Sequence, residues 1–138
     1  MDREEIQKLI VGPIATVPTP FDDRYRVDYG LMAEATERWI DGGLVTEKSV
    51  LKVAAAMGEG PQLTESEWTK LLKTCVDASK GRVPIMGAIH YKDTVRAVED
   101  AQKAADIGVI GLQISPPIFN QPSQDDLLRF YSSVSDSI

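Results

Sequence analysis

The stretch VLKVAAAMGEGPQLTESEW, residues 50–68, changes periodicity once, and that change decides the fold. Residues 50–56 are short and almost wholly apolar, the pattern of a strand buried on both faces of a parallel sheet. Gly58 and Gly60-Pro61 then break the run. Thr64 and Glu67 follow at capping-box spacing, with Leu63 and Trp68 flanking them at hydrophobic-staple spacing, so a helix begins at once. Gly81 ends it. A buried strand running straight into a capped helix is one strand–helix unit.

The same unit recurs on either side. Residues 12–17 read as a strand closed by Pro18-Thr19-Pro20-Phe21, where two positions lack an N–H. Asp28 caps a helix reaching about Trp39-Ile40, with Leu31, Ala35 and Trp39 on one face and Gly42-Gly43 as its stop. Residues 83–89 form a third strand. Asp93 caps the helix after it, which turns Val95, Val98, Ala101 and Ala105 inward and stops at Gly108. Residues 109–114 form a fourth strand closed by Pro116-Pro117, and Ser123 with Asp126 caps a last helix through Leu127, Leu128 and Tyr131. Each unit spans about 30 residues, the size of a parallel strand–crossover–strand unit. Strict alternation, with strands too apolar to face water, predicts a parallel sheet with right-handed crossovers. Residues 44–49 form the longest helix-to-strand joint, and no linker or low-complexity tract intervenes, so residues 1–138 read as a single domain. Two architectures use such units: an open flavodoxin-like sheet with helices on both faces, and half of a closed barrel of eight. Periodicity alone leaves both open.

Composition narrows the function. The 138 residues are 43% apolar and 26% charged, an ordinary globular balance. A formal charge of −6 argues against a broad nucleic-acid or anionic-membrane surface, so neither partner is expected. The single cysteine, Cys75, excludes an internal disulfide and shares an apolar stripe with Leu71, Leu72 and Val76, where it reads as a core residue. No run approaches the ~18 apolar residues of a membrane span. The opening MDREEIQK is acidic where a signal peptide needs bases, so a cytoplasmic protein is expected.

In α/β folds chemistry collects at the carboxyl edge of the sheet. The strand ends read, in order, Thr19-Pro20-Phe21; Gly58-Glu59 with Leu63-Thr64 and Glu67; Gly87-Ala88 after Gly81-Arg82-Val83-Pro84; and Pro117-Ile118-Phe119-Asn120-Gln121-Pro122-Ser123-Gln124. This set resembles the dihydrodipicolinate synthase and N-acetylneuraminate lyase family. There the strand ends carry TPF, a GTTGE-like turn followed by LT..E, a G-R-x-P segment before strand three, and PYYN.P.Q. The resemblance runs from about Val11 to Tyr131 and chooses the barrel: a (β/α)8 TIM barrel of which this chain supplies the N-terminal half, about four units.

The resemblance also implies chemistry. Family members join or split a bond beside the keto group of pyruvate, usually as tetramers and without a cofactor. A lysine on the sixth strand forms a Schiff base and so creates an electron sink. A tyrosine at the fifth strand end relays protons with the second threonine of GTTGE, while N–H groups of that turn hold the substrate carboxylate. The strand-five tyrosine and strand-six lysine have no counterpart among these four units. Ser135-Asp136-Ser137-Ile138 falls where the family's fourth helix leads into strand five, so the pattern is expected to run on.

Two departures change the expected reaction. The turn reads Ala55-Ala56-Met57-Gly58-Glu59, without the two hydroxyls, and Phe119 stands where a tyrosine would extend the relay. Losing a positioned proton-transfer group typically slows a reaction by about 10² to 10⁴. The expectation is therefore a lyase or aldolase acting on pyruvate or another 2-keto acid, from a branch other than dihydrodipicolinate synthase itself.

Ala56, Met57, Thr19 and Phe119 are the candidate substrate contacts, the first two through backbone N–H groups. Gly58 and Glu59 are candidate structural residues of the turn, Gly58 by its small size and Glu59 by fixing nearby N–H groups. His90, the only histidine, is either a loop residue bonded locally or a proton-transfer contact titrating near 6.5. Lys52 sits oddly inside an apolar strand; it either points its ammonium out at a strand end or pairs with an acid, or else acts as a Schiff-base amine of depressed pKa. No metal is expected, because one histidine without clustered Cys, Asp or Glu is too small a donor set. A different class stays open beside the enzyme: a non-catalytic half-barrel that self-associates or binds a small ligand. A flavodoxin-like module is disfavoured, since Pro18 and Pro20 remove donors where a phosphate loop would lie.

Overall fold

Four short strands, β1 (Ile14–Thr16), β2 (Val50–Lys52), β3 (Ile85–His90) and β4 (Gly111–Ser115), pair in parallel in the order in which they occur in the chain. The computed structural model describes residues 3–118 and 121–138. Helices α2 (Tyr29–Asp41), α3 (Glu65–Ser79) and α4 (Thr94–Ile107) connect successive strands; α5 (Gln124–Ser135) follows β4, and a short α1 (Arg3–Leu9) precedes β1. No element was expected at α1.

A sheet ordered 1-2-3-4 with crossovers of one hand places its helices on one side, whereas a flavodoxin-like sheet reverses its order at a switch point. The burial pattern agrees. Ala15, Leu51, Val53, Ile85, Ile89, Leu112 and Ile114 join Met32, Leu71, Leu72, Ala97 and Ala101 in one apolar cluster. The opposite face carries Ile14, Thr16, Lys52, Met86 and Gln113, all at least partly exposed. One face packed on helices and one left open is the geometry of a barrel wall. The strands are consecutive staves of a (β/α)8 barrel, four of the eight.

The helix starts follow local chemistry. Thr64 and Glu67 form a reciprocal capping box, as do Ser123 and Asp126, while Asp28 and Asp93 accept from Leu31 and Arg96 N–H groups. The inward stripes differ from expectation in two helices. On α2 the fully buried residues are Met32, Thr36 and Ile40; of the expected face Trp39 is partly buried and packs against the core, while Leu31 is exposed. Thr36 is tolerated inside because its hydroxyl donates to the Met32 carbonyl at 2.9 Å. On α4 Ala101 is buried and Val98 packs against the core as expected, with Ala97 and Ala104 buried beside them, whereas Val95 and Ala105 face water. Small residues let this helix lie close to the sheet. On α5 Phe130 and Val134 are buried and Leu128 is exposed. Cys75 is fully buried, and burial pushes its thiol up to about 12, which leaves it a core residue.

Candidate functional site

Backbone conformation marks the carboxyl edge before any side chain is considered. Among the described residues, seven non-glycine residues have positive φ, and five of them (Tyr25, Ala54, Glu59, Tyr91 and Gln121) lie in the segments that leave strands. Such conformations are strained for side chains with a Cβ and concentrate where a surface has a task.

The turn after β2 is the most constrained. Val53 N–H still bonds Met86 O, but Ala54 then turns to φ 55, and two single-turn 3-10 helices follow, Ala56–Gly58 and Gly60–Gln62. Glu59 joins them in the left-handed region. The Thr19 hydroxyl, buried, donates to Gly58 O at 2.6 Å and ties the turn to the segment after β1. Gly58 is small by necessity: a Cβ there would stand 2.8 Å from Val17 O. The exposed carboxylate of Glu59, expected to fix nearby N–H groups, meets no N–H among the described residues, and its left-handed backbone joins the two 3-10 helices. Ala56 and Met57, both exposed, have N–H groups that donate to no acceptor among the described residues.

The segment after β1 is braced separately. Asp22 accepts from the N–H groups of Arg24 and Arg26 and takes the Arg26 guanidinium in a two-point contact at 2.7 and 2.9 Å, which holds its carboxyl below the usual range. Thr19 thus enters the site from a rigid loop.

His90 ends β3, beside Ser115 of β4 and on the open face. Its Nε2 lies 3.2 Å from Ala54 O. A carbonyl only accepts, so Nε2 carries the proton and a neutral ring keeps its lone pair on Nδ1. Burial is the main cause that lowers the pKa of His90, with the nearby Lys52 charge acting in the same direction. Lys52 also faces the open side and donates to Gln113 Oε1 at 2.6 Å. The structure therefore gathers Thr19, Ala56, Met57, Gly58, Glu59 and His90 around one turn, with Lys52 a little further down the strands. Phe119 lies outside the described residues.

Sequence reasoning missed Asp100 of α4, whose side chain is nine-tenths buried with Lys103 Nζ 3.7 Å away. It lines a cleft with Gly60, Pro61, Trp68 and His90. Burial is the dominant influence and raises its pKa, so Asp100 takes up a proton more readily in the folded chain than in the unfolded one. Its stabilising contribution is present at low pH and lost as pH climbs from the unfolded value, about 3.9, through the raised folded one. Asp100→Asn is expected to flatten that part of the stability profile, read from urea midpoints between about pH 4 and 7. An unchanged slope would show that Asp100 does not titrate differently on folding. Among the described residues no three His, Cys, Asp or Glu side chains gather as a metal-ligand group, and no helix is long and apolar enough to cross a membrane.

These features define a class: half of a parallel strand–helix barrel with a built, strained loop cluster at its carboxyl edge. Residues 10–137 match the dihydrodipicolinate synthetase family, and the chain belongs to it. It is 32% identical over 128 residues to a 4-hydroxy-tetrahydrodipicolinate synthase of Halalkalibacterium halodurans, the match covering 92% of this chain and 42% of that one. It is also 32% identical over 127 residues to the enzyme of the same name from Methanococcus maripaludis, again covering 92% and 42%. Among solved structures, dihydrodipicolinate synthase from Aquifex aeolicus superimposes with a TM-score of 0.83 at 26% identity, covering 92% of this chain and 42% of that one. YagE, a prophage protein of the same family from E. coli K12 solved in complex with pyruvate, superimposes at 0.84 with 24% identity, covering 94% and 42%. The chain spans about two fifths of the length of the relatives it matches.

Proposed function

We propose that this chain forms the carboxylate-binding side of a class I aldolase-type lyase acting on pyruvate or a related 2-keto acid. The observation that carries this reading is the turn after β2, where the adjacent N–H groups of Ala56 and Met57, which meet no acceptor among the described residues, lie near the buried Thr19 hydroxyl. Paired backbone donors at a tight turn suit a carboxylate and need no side-chain hydroxyl. His90, kept neutral and hydrogen-bonded through Nε2, offers Nδ1 as a proton acceptor at the same edge.

Family membership supports the reaction class. The electron-sink amine comes from staves other than these four. Lys52, which donates to Gln113 Oε1 below the turn, is given a structural part in this reading. The absent hydroxyls at 56 and 57 favour a keto-acid aldolase, dehydratase or hydratase-aldolase over dihydrodipicolinate synthase itself. Completed barrels would associate as dimers or tetramers, and the buried thiol of Cys75 fits a reducing cytoplasm.

Trapping with pyruvate and borohydride tests the division of labour by mass spectrometry. The 138-residue chain alone is expected to take up no reduced pyruvate, whereas a chain carrying all eight staves takes up one equivalent on a lysine beyond residue 138. An adduct on Lys52 would overturn the assignment.

A further inference from the structure

Among the described residues, each segment that leaves a strand presents a large apolar or aromatic side chain to solvent: Tyr25 after β1, Met57 after β2, Tyr91 after β3 and Ile118 after β4. Apolar residues scattered singly over a surface need no explanation, but these share one sheet edge, where neighbouring strands lie ~4.8 Å apart. Two of them are held there at a conformational cost. Tyr25 and Tyr91 have φ of 59 and 55, a region that bulky side chains seldom adopt. The Tyr91 ring lies against that of His90, with centroids 5.8 Å apart and planes tilted by 51°.

Met57 is closest to the open backbone donors, because its own N–H is one of them. Its side chain is 78% exposed. The turn cannot withdraw it toward β1, since Gly58 already packs against Val17 O and the Thr19 hydroxyl holds Gly58 O. A carboxylate bound at the Ala56 and Met57 N–H groups therefore leaves the rest of its molecule within reach of a flexible thioether chain, which adapts readily to apolar surfaces. No polar group of the turn competes for that body. From Val53 to Pro61 the only side chain with an oxygen or nitrogen is that of Glu59, which is exposed and joins none of the ion pairs among the described residues. Its charge repels a second carboxylate on the bound acid, and a polyhydroxylated body finds no hydroxyl or amide here to bond.

We propose that Met57 is the specificity-determining residue of this edge, and that it selects a 2-keto acid whose body beyond the keto group is apolar or aromatic and carries no second charge. This rests on the carboxylate-binding reading of the turn and adds to it the class of substrate.

The test titrates the chain with pyruvate, phenylpyruvate and 2-oxoglutarate and follows the Ala56 and Met57 amides and the Met57 methyl group by NMR. Phenylpyruvate is expected to bind about fivefold more tightly than pyruvate and to shift the Met57 methyl, with 2-oxoglutarate the weakest of the three. The readout is the ratio of the phenylpyruvate and pyruvate dissociation constants. Met57→Thr is expected to bring it to about one, and Met57→Leu to keep it. The amide spectrum shows whether each variant is folded, and Met57→Gln replaces Met57→Thr if that variant is not. A ratio of about one in the native chain, or one that Met57→Thr leaves unchanged, overturns the proposal while pyruvate still moves the two amides. If none of the three acids moves them, the carboxylate reading fails and the proposal with it.

Discussion

Gly60→Ala is expected to lower the stability of the chain by about 3 kcal/mol or more and to disorganise the turn after β2, the largest effect of any small-residue change at the site. A Cβ at this position would stand 1.7 Å from Ala54 O and 2.5 Å from Ala54 C, with Ala55 O at 3.2 Å. All three are backbone atoms of the segment that has just left the sheet, so no rotamer change relieves the clash. Gly60 N–H also bonds Ala55 O at 3.0 Å, so the backbone is held against the obstacle. Either that bond or the Ala54 conformation has to give, and the Ala56 and Met57 donors move with it. Gly87→Ala is the internal comparison. Its Cβ would meet Leu112 Cδ2 at 3.2 Å and Leu72 Cδ2 at 3.3 Å, the ends of flexible side chains, and a loss of about 1–3 kcal/mol is expected. Urea denaturation of both variants gives the ordering, and a Gly60→Ala loss no greater than that of Gly87→Ala would mean that the turn is not packed as described.

Trp68→Ala is expected to cost about 3–5 kcal/mol. Trp68 is 7% exposed, in the second turn of α3, and its indole N–H donates to Ala88 O at 2.8 Å. One residue thus clamps a helix to the strand two positions before His90, through both apolar contact and a buried hydrogen bond. Trp68→Phe separates the two. It retains most of the apolar surface but leaves the Ala88 carbonyl unpaired, at about 1–3 kcal/mol. Equal losses for the two variants would assign the whole effect to the bond and none to the packing.

The parts of the fold legible in the sequence are those set by neighbours in the chain. A capping box needs only Thr64 and Glu67, or Ser123 and Asp126, and both are in place. Strand order followed from alternation together with the strand-end motifs. The helix faces were harder, because polarity is an unreliable sign of exposure. Thr36 looks like a surface residue, yet it satisfies its hydroxyl within its own helix and goes inside, rotating the stripe of α2 by one position. On α4, alanine takes the inner positions and Val95 the outer ones because close approach to the sheet favours small volume over hydrophobicity. β2 is shorter than its apolar run because Ala54 adopts a left-handed conformation that nothing about alanine announces.

The site divides in the same way. The turn and Thr19 were visible as motif residues, but the hydroxyl bond from Thr19 to Gly58 spans 39 positions and belongs to tertiary structure. Lys52 was conspicuous as a cation among apolar residues, whereas its partner Gln113, 61 positions away, had no distinguishing mark. Asp100 escaped notice because acids are common on helix surfaces, and only packing of α4 against the cleft shows that this one is turned inward.

The sequential strand order has a consequence for biosynthesis. Because each strand lies next to the one made just before it, a growing polypeptide can lay down this wall stave by stave as it leaves the ribosome, without waiting for distant segments to close a loop. Until its complement arrives, the wall presents two bare sheet margins and a lining meant for an interior. In that interval the bare margins are open to pairing with any other exposed strand, and shielding matters most.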